Sequence, residues 1–212
     1  MIAQVCPLPA DIIFKPHLME SDMATVAGEI AITTTDSACW HALIGRAEAA
    51  ECRLLNTDAG RYLVNLLVCY NFRGQAVESL LASLQDTAVG LEQLATDTLR
   101  ELGDHCLLLA GLLPETVTRQ GLMLTEMVYT GRQAYAVLAA RGADPVYAIL
   151  LKEFVHLMDL LQTMRELDGR SLQLDPLQLH ALWVETGSRK ARRLLPTCSD
   201  ALPLAAHSLT LH

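Results

Sequence analysis

Between Leu91 and Pro114 the chain reads LEQLATDTLRELGDHCLLLAGLLP, and Leu91, Ala95, Thr98, Leu102, His105, Leu109 and Leu113 recur at steps of three or four residues. In an α-helix that spacing stacks side chains along one face. The stretch therefore predicts a long helix with one side committed to a core. It also carries a Gly103-Asp104-His105-Cys106 cluster, which puts a histidine on the seam. Glycine lowers helix propensity by about 1 kcal/mol relative to alanine, so Gly103 predicts a kink or a close helix crossing. Pro114 ends the element, and Glu115–Leu122 reads as a short helical connector.

The same period runs through most of the chain. Asp36 or Ser37 can cap a helix to about Leu55, with Trp40, Leu43, Ile44, Ala47 and Leu54 inward and Arg46, Glu48 and Arg53 outward. Thr57 can cap the next, through about Phe72, with Leu63, Leu66, Leu67 and Tyr70 on one face and Gly74 as the stop. Thr125–Arg141 keeps Val128, Gly131, Tyr135 and Leu138 in line, placing a glycine where another helix can pack tightly. Asp144-Pro145 restarts the chain, since aspartate caps and proline suits the first helical turn. Its short connection predicts a helical hairpin with the apolar stretch that runs to Leu167. Asp175-Pro176 repeats the signal and opens a final helix containing Leu179, Leu182, Trp183, Leu194 and Leu195.

Weaker patterns predict a short helix from Ser21 with Met23, Val26, Ala27 and Ile30 on one face, and another from Ala76 to about Ser83, with Asp86 starting the long element. The β-branched run Ile32-Thr33-Thr34-Thr35 reads as an extended segment. Pro7, Pro9 and Pro16 predict an irregular arm over 1–20. The organisation expected is that arm, an all-helical domain over 21–195, and a tail over 196–212. The fold class is all-α: one bundle of antiparallel hairpins with about seven to nine helices.

Composition limits what such a bundle does. Hydrophobic residues make up 51% of the 212 and charged residues 19%, a surplus that suits helix-helix burial and a homodimer interface. A net charge of -8 excludes a general nucleic-acid binder, which needs a basic surface to neutralise phosphate. The local cluster Arg189, Lys190, Arg192 and Arg193 reads as a solvated helix end where cations complement the dipole. No run approaches the roughly 20 apolar residues of a membrane span, and the N-terminus shows no basic region followed by an apolar one. A cytoplasmic protein is expected. Cys6, Cys39, Cys52, Cys69, Cys106 and Cys198 form no Cys-x-x-Cys pair, so neither a zinc ribbon nor a thioredoxin-like motif is indicated.

Two polar pairs raise a metal site. Glu153-Phe154-Val155-His156 has the Glu-x-x-His spacing of di-iron bundles, which need a second copy and further carboxylates. Asp104, His105 and Glu101 could complete the set if the two helices face each other. The competing reading sees Lys152, His156, Asp159, Thr163 and Glu166, again at steps of three or four, as a solvent stripe on an otherwise buried helix. Asp104-His105 then becomes a satisfied polar pair. No nucleophile elbow, phosphate loop or dinucleotide fingerprint occurs.

The run RELGDHCLLLAGLLPE over 100–115, followed by YTGRQAY over 129–135, resembles a group of small helical proteins from proteobacteria. The likeness spans about residues 50–165 and rests on Gly-Asp before an apolar run, Gly-Leu-Leu-Pro at its end, and Gly-Arg-x-Ala-Tyr in the next helix. It implies a bacterial origin and a helical domain, and names no activity or catalytic residue. The expectation is a non-enzymatic module that binds a protein partner or itself, without a cofactor. The alternative is a metal- or small-ligand-binding bundle, with oxidoreductase chemistry as one use, built on Glu101, Asp104, His105, Glu153 and His156.

Overall fold

In the computed structural model, which describes residues 34–73 and 90–198, the chain forms α1 (Thr34–Glu51), α2 (Thr57–Arg73), α3 (Thr96–Leu112), α4 (Pro114–Arg119), α5 (Leu124–Ala140), α6 (Val146–Leu167), α7 (Pro176–Thr186) and α8 (Arg189–Cys198). Among the described residues there is no strand. The expected arm over 1–20, the helices from Ser21 and from Ala76 to Ser83, the Gly74 stop, the Asp86 start and the tail beyond Cys198 lie outside those residues.

Helix α6 is the centre of the bundle, with every side chain from His156 to Arg165 buried. Helices α3 and α5 pack on it and on each other, α1 and α2 cover another side, and α7 and α8 pair together beyond α5. The core joins Trp40, Leu43, Leu63 and Leu67 to Leu99, Leu107, Leu138, Phe154 and Leu182. At roughly 25 cal/mol for each square ångström of apolar surface removed from water, a continuous cluster of this kind dominates the stability.

Local signals place most of the boundaries. Asp144 accepts the Val146 amide at 2.8 Å to open α6, and α5 and α6 form the expected hairpin. Asp175 accepts from Leu177 and Gln178 at 2.9 Å each, and the Gln178 side chain returns to the Asp175 amide at 3.2 Å. This reciprocal box opens α7. Asn56, rather than Thr57, caps α2 by accepting the Asp58 amide at 2.9 Å. Glu115 of α4 is tied to Arg165 at 2.9 Å and to the Gln173 amide at 3.1 Å.

Several further expectations are corrected. Helix α1 begins at Thr34, so Thr34 and Thr35 of the β-branched run are helical, and it ends at Glu51, leaving Leu54 exposed instead of inward. Residues Leu91–Gln93 form a 3₁₀ turn ahead of α3, and Ala95 and Thr98 of the predicted seam are exposed. The final helix is two: Gly187, at φ 80°, closes α7 in a left-handed conformation that glycine adopts without steric cost, and α8 continues through Pro196. The stripe from His156 to Thr163 faces the interior rather than solvent, with His156 5% and Asp159 4% exposed.

Gly103 and Gly131 let α3, α5 and α6 approach closely. A Cβ on Gly103 would lie 2.5 Å from the Tyr135 ring, and one on Gly131 would lie 2.5 Å from Phe154 and 2.8 Å from Cys106 Cβ. The close crossing expected at Gly103 is therefore present. Alanine at position 131 would gain about 1 kcal/mol of helix propensity, but overpacking against buried Phe154 and the backbone-anchored Cβ of Cys106 costs about 1–3 kcal/mol. Gly131→Ala is therefore expected to lower the stability measured by urea unfolding, by up to about 2 kcal/mol. A midpoint at or above that of the parent chain would contradict this packing.

Candidate functional site

The Gly103-Asp104 pair is the first candidate. Tyr135 lies fully buried with its ring against Gly103, and its hydroxyl donates to Asp104 Oδ1 at 2.7 Å. Tyr62 of α2 donates to the same oxygen at 2.7 Å. The Tyr147 ring stacks on Tyr135 with centroids 6.0 Å apart and meets Tyr62 edge-on at 6.3 Å. Aromatic pairs at such separations add about 0.5–1.5 kcal/mol each beyond area burial. Glycine at 103 makes room for the ring, and the carboxylate at 104 receives its hydroxyl.

Burial raises the Asp104 pKa to about 6, although both tyrosine hydrogen bonds and Arg100 pull it down. Burial first, and then the Asp104 charge, push the Tyr62 and Tyr135 hydroxyls well above their ordinary range. At neutral pH the carboxyl is ionised and both phenols keep their protons. The arrangement ties α2 and α5 to α3 through one carboxylate oxygen. Burial also pushes the Cys106 thiol up to about 12, far from thiolate chemistry. His105 is half-buried, and its burial lowers its pKa against the opposing charge of Glu101, which is exposed.

The Glu153 and His156 pair forms a second cluster. His156 Nδ1 lies 2.9 Å from Glu153 Oε2, and Arg53 approaches Glu153 at 3.9 Å. The buried Nε2 of His156 meets no hydrogen-bond partner among the described residues. Among those residues no three His, Cys, Asp or Glu side chains are grouped to hold a metal ion. The sequence-derived candidates Glu153, His156, Asp104 and His105 are thus not brought into one ligand set, and Glu101 does not complete one.

The buried polar stripe of α6 serves α8. Asp159 accepts from Ser188 Oγ at 2.6 Å, from the Arg189 amide at 2.9 Å and from the Lys190 amide at 3.3 Å, while Ser188 Oγ accepts the Ala191 amide at 3.0 Å. A carboxylate on α6 thereby caps α8 across space. Lys190, only 4% exposed, donates to Thr163 at 3.0 Å and to Glu166 at 2.6 Å. Glu51 at the end of α1 accepts from Thr163 and pairs with Arg193. Arg189, Arg192 and Arg193 of the basic cluster are exposed, as expected of solvated cations, and Lys190 is buried, but the cluster does not end a helix. It begins a helix, where the dipole opposes cations, and Asp159, Glu166 and Glu51 compensate.

A third candidate was missed in the sequence. An open cleft of about 350 Å³ is lined by Val128, Tyr129, Arg132 and Ala136 of α5, Leu151 of α6 and Glu185 of α7. Arg132 and Glu185 supply its charges and make no ion pair among the described residues. The signal was a second stripe on α5, at 125, 128, 129, 132, 133 and 136, beside the core stripe that ends in Tyr135 and Leu138. No protein-family model, no curated protein and no solved structure matches this chain.

Two expectations follow from these contacts. Asp104 titrates near 4 when unfolded and at about 6 when folded, so its raised value favours the native state most below pH 4, and that contribution is lost as pH rises to about 6. Asp104→Asn keeps an acceptor and removes the charge. Urea unfolding should show the parent chain losing up to about 3 kcal/mol relative to this variant between pH 4 and 6; parallel profiles would refute the assignment. Asp159→Ala strands the Ser188 hydroxyl and the first amides of α8, and should cost about 2–4 kcal/mol. Hydrogen exchange at residues 189–191 should accelerate with it, and unchanged protection there would show that Asp159 is not the cap.

Proposed function

We propose that this chain is a non-enzymatic protein-interaction module that engages a protein partner through the face made by α5 and α7. The observation that carries this reading is where large apolar side chains are left in water. Tyr129 on the wall of the cleft is 67% exposed, and on α7 Leu177 and Val184, two turns apart on one side of the helix, are 81% and 62% exposed. Single exposed leucines are ordinary, and neither Leu177 nor Val184 lines the cleft, so the side chain that marks it as a binding surface is Tyr129, a large ring left in water on the wall of an open groove. Tyrosine adds a large, stiff contact area that is enriched at interfaces.

Internal chemistry gives the enzyme and ligand alternatives less support. The Asp104 carboxylate is occupied by two phenols, and Asp159 and Glu51 are occupied by α8. Small-molecule sites enclose most of their ligand among a few converging polar groups, whereas this cleft is open and its two charges stand on different helices. Among the described residues no helix is long and apolar enough to cross a membrane.

A photo-crosslinking amino acid in place of Tyr129, in the native cell, tests the reading. A light-dependent protein adduct is expected there, with none from the same substitution at Leu54, which is exposed between α1 and α2. If position 129 yields no protein adduct, or if both positions trap the same proteins, the α5 and α7 face is not the binding surface.

A further inference from the structure

We infer that the occupant of the α5 and α7 face is a second copy of this chain, joined about a two-fold axis by reciprocal Arg132 and Glu185 pairs. This inference rests on the interaction reading above and specifies its partner. The argument is charge complementarity. Arg132 projects from α5 and Glu185 from α7, both exposed, and neither makes a hydrogen bond or ion pair among the described residues. They are the charged members of a cleft otherwise walled by apolar and neutral polar groups such as Val128, Tyr129, Ala136 and Leu151.

A two-fold axis standing between two opposite charges on one face brings each against its counterpart on the other copy. The contact is self-complementary, so residue 132 of one copy meets residue 185 of the other, and the converse pair forms at the same time. A single cation and a single anion have no reason to select an acidic or a basic peptide. They match a face that carries the same two charges in the opposite sense.

The charge of the whole chain opposes self-association and so limits where two copies can meet. At -8, two copies repel one another at long range, and that repulsion is screened beyond about 8 Å at physiological salt. Close approach is opposed least where the local charges cancel. The cleft lining is such a place, and Tyr129 supplies the apolar contact that the paired charges would flank. The salt bridges set orientation, and the apolar area supplies most of the affinity.

Sedimentation velocity of the full chain across a wide concentration range, with single and combined charge reversals, tests this assignment. The parent chain should dimerise. Arg132→Glu alone and Glu185→Arg alone each create two like-charge contacts per dimer, and each should weaken self-association about tenfold or more. An equimolar mixture of those two variants should dimerise again, because one copy of each restores both pairs, and the doubly reversed chain should dimerise by itself. At concentrations low enough for the parent chain to be monomeric, thermal unfolding should be unchanged in all three, since neither side chain is bonded within the described residues.

A parent chain that stays monomeric at every concentration would overturn the inference. So would a dimer indifferent to the reversals, or single variants whose mixture stays monomeric. Should the chain be monomeric while the crosslinker at position 129 traps a different protein, the interaction reading stands and only the second copy is lost. If the chain is monomeric and nothing is trapped, both fall together.

Discussion

Tyr135 can lie against α3 only because residue 103 carries no side chain, and it is held there because residue 104 is a carboxylate. Much of the bundle depends on that contact. The ring fills the space that a Cβ on Gly103 would claim, and its hydroxyl reaches Asp104 at 2.7 Å. Phe154 then packs on Tyr135 with centroids 5.9 Å apart and covers Gly131, so α6 follows α5 into the same close layer. Tyr62 uses the other approach to Asp104 and ties α2 to the outer side of α3. Dispersion and apolar burial favour close approach, and Gly103, Gly131 and Gly111, where a Cβ would lie 2.6 Å from Leu161 Cβ, mark where it is sterically allowed.

A second constraint acts at the other end of the bundle. Helix α8 starts with Arg189 and Lys190, cations placed where unsatisfied amides already make the helix end positive. Such a helix would not be stable alone at ten residues. Asp159 supplies the missing negative charge from α6, and Lys190 turns back to Glu166 and Thr163. The burial that raises the Asp159 pKa is the cost of placing this cap inside the bundle, and its three donors offset that cost.

Those two constraints explain what could be read from the chain. Asp144-Pro145 and Asp175-Pro176 act on amides two or three residues away, so their helix starts were legible. Val128, Gly131, Tyr135 and Leu138 were legible as a core face because apolar period and burial coincide on α5. The α6 stripe was not. His156, Asp159 and Thr163 keep the same period whether they meet water or polar partners, and the partners of Asp159 and Thr163 lie about thirty residues on or, for Glu51, more than a hundred residues back. Gly187-Ser188 did carry a stop and a cap, but the leucines on either side continued the helical pattern through it. The cleft was hidden because its stripe on α5 is mixed in polarity, and its opposite wall comes from α7.

The distribution of polar groups then bears on where function can reside. Every inward carboxylate described above is engaged: Asp104 by two phenols, Asp159 by the start of α8, Glu115 by Arg165 and a backbone amide. Groups engaged in this way are held in one geometry, which suits a scaffold. Reactive chemistry needs a group that changes partners during a cycle. Arg132 and Glu185 are charged side chains of a concave surface that have not been recruited into such internal pairing, and they stand beside an exposed tyrosine. Side chains in that condition are available to a partner, which is the basis of the interaction proposed for the α5 and α7 face.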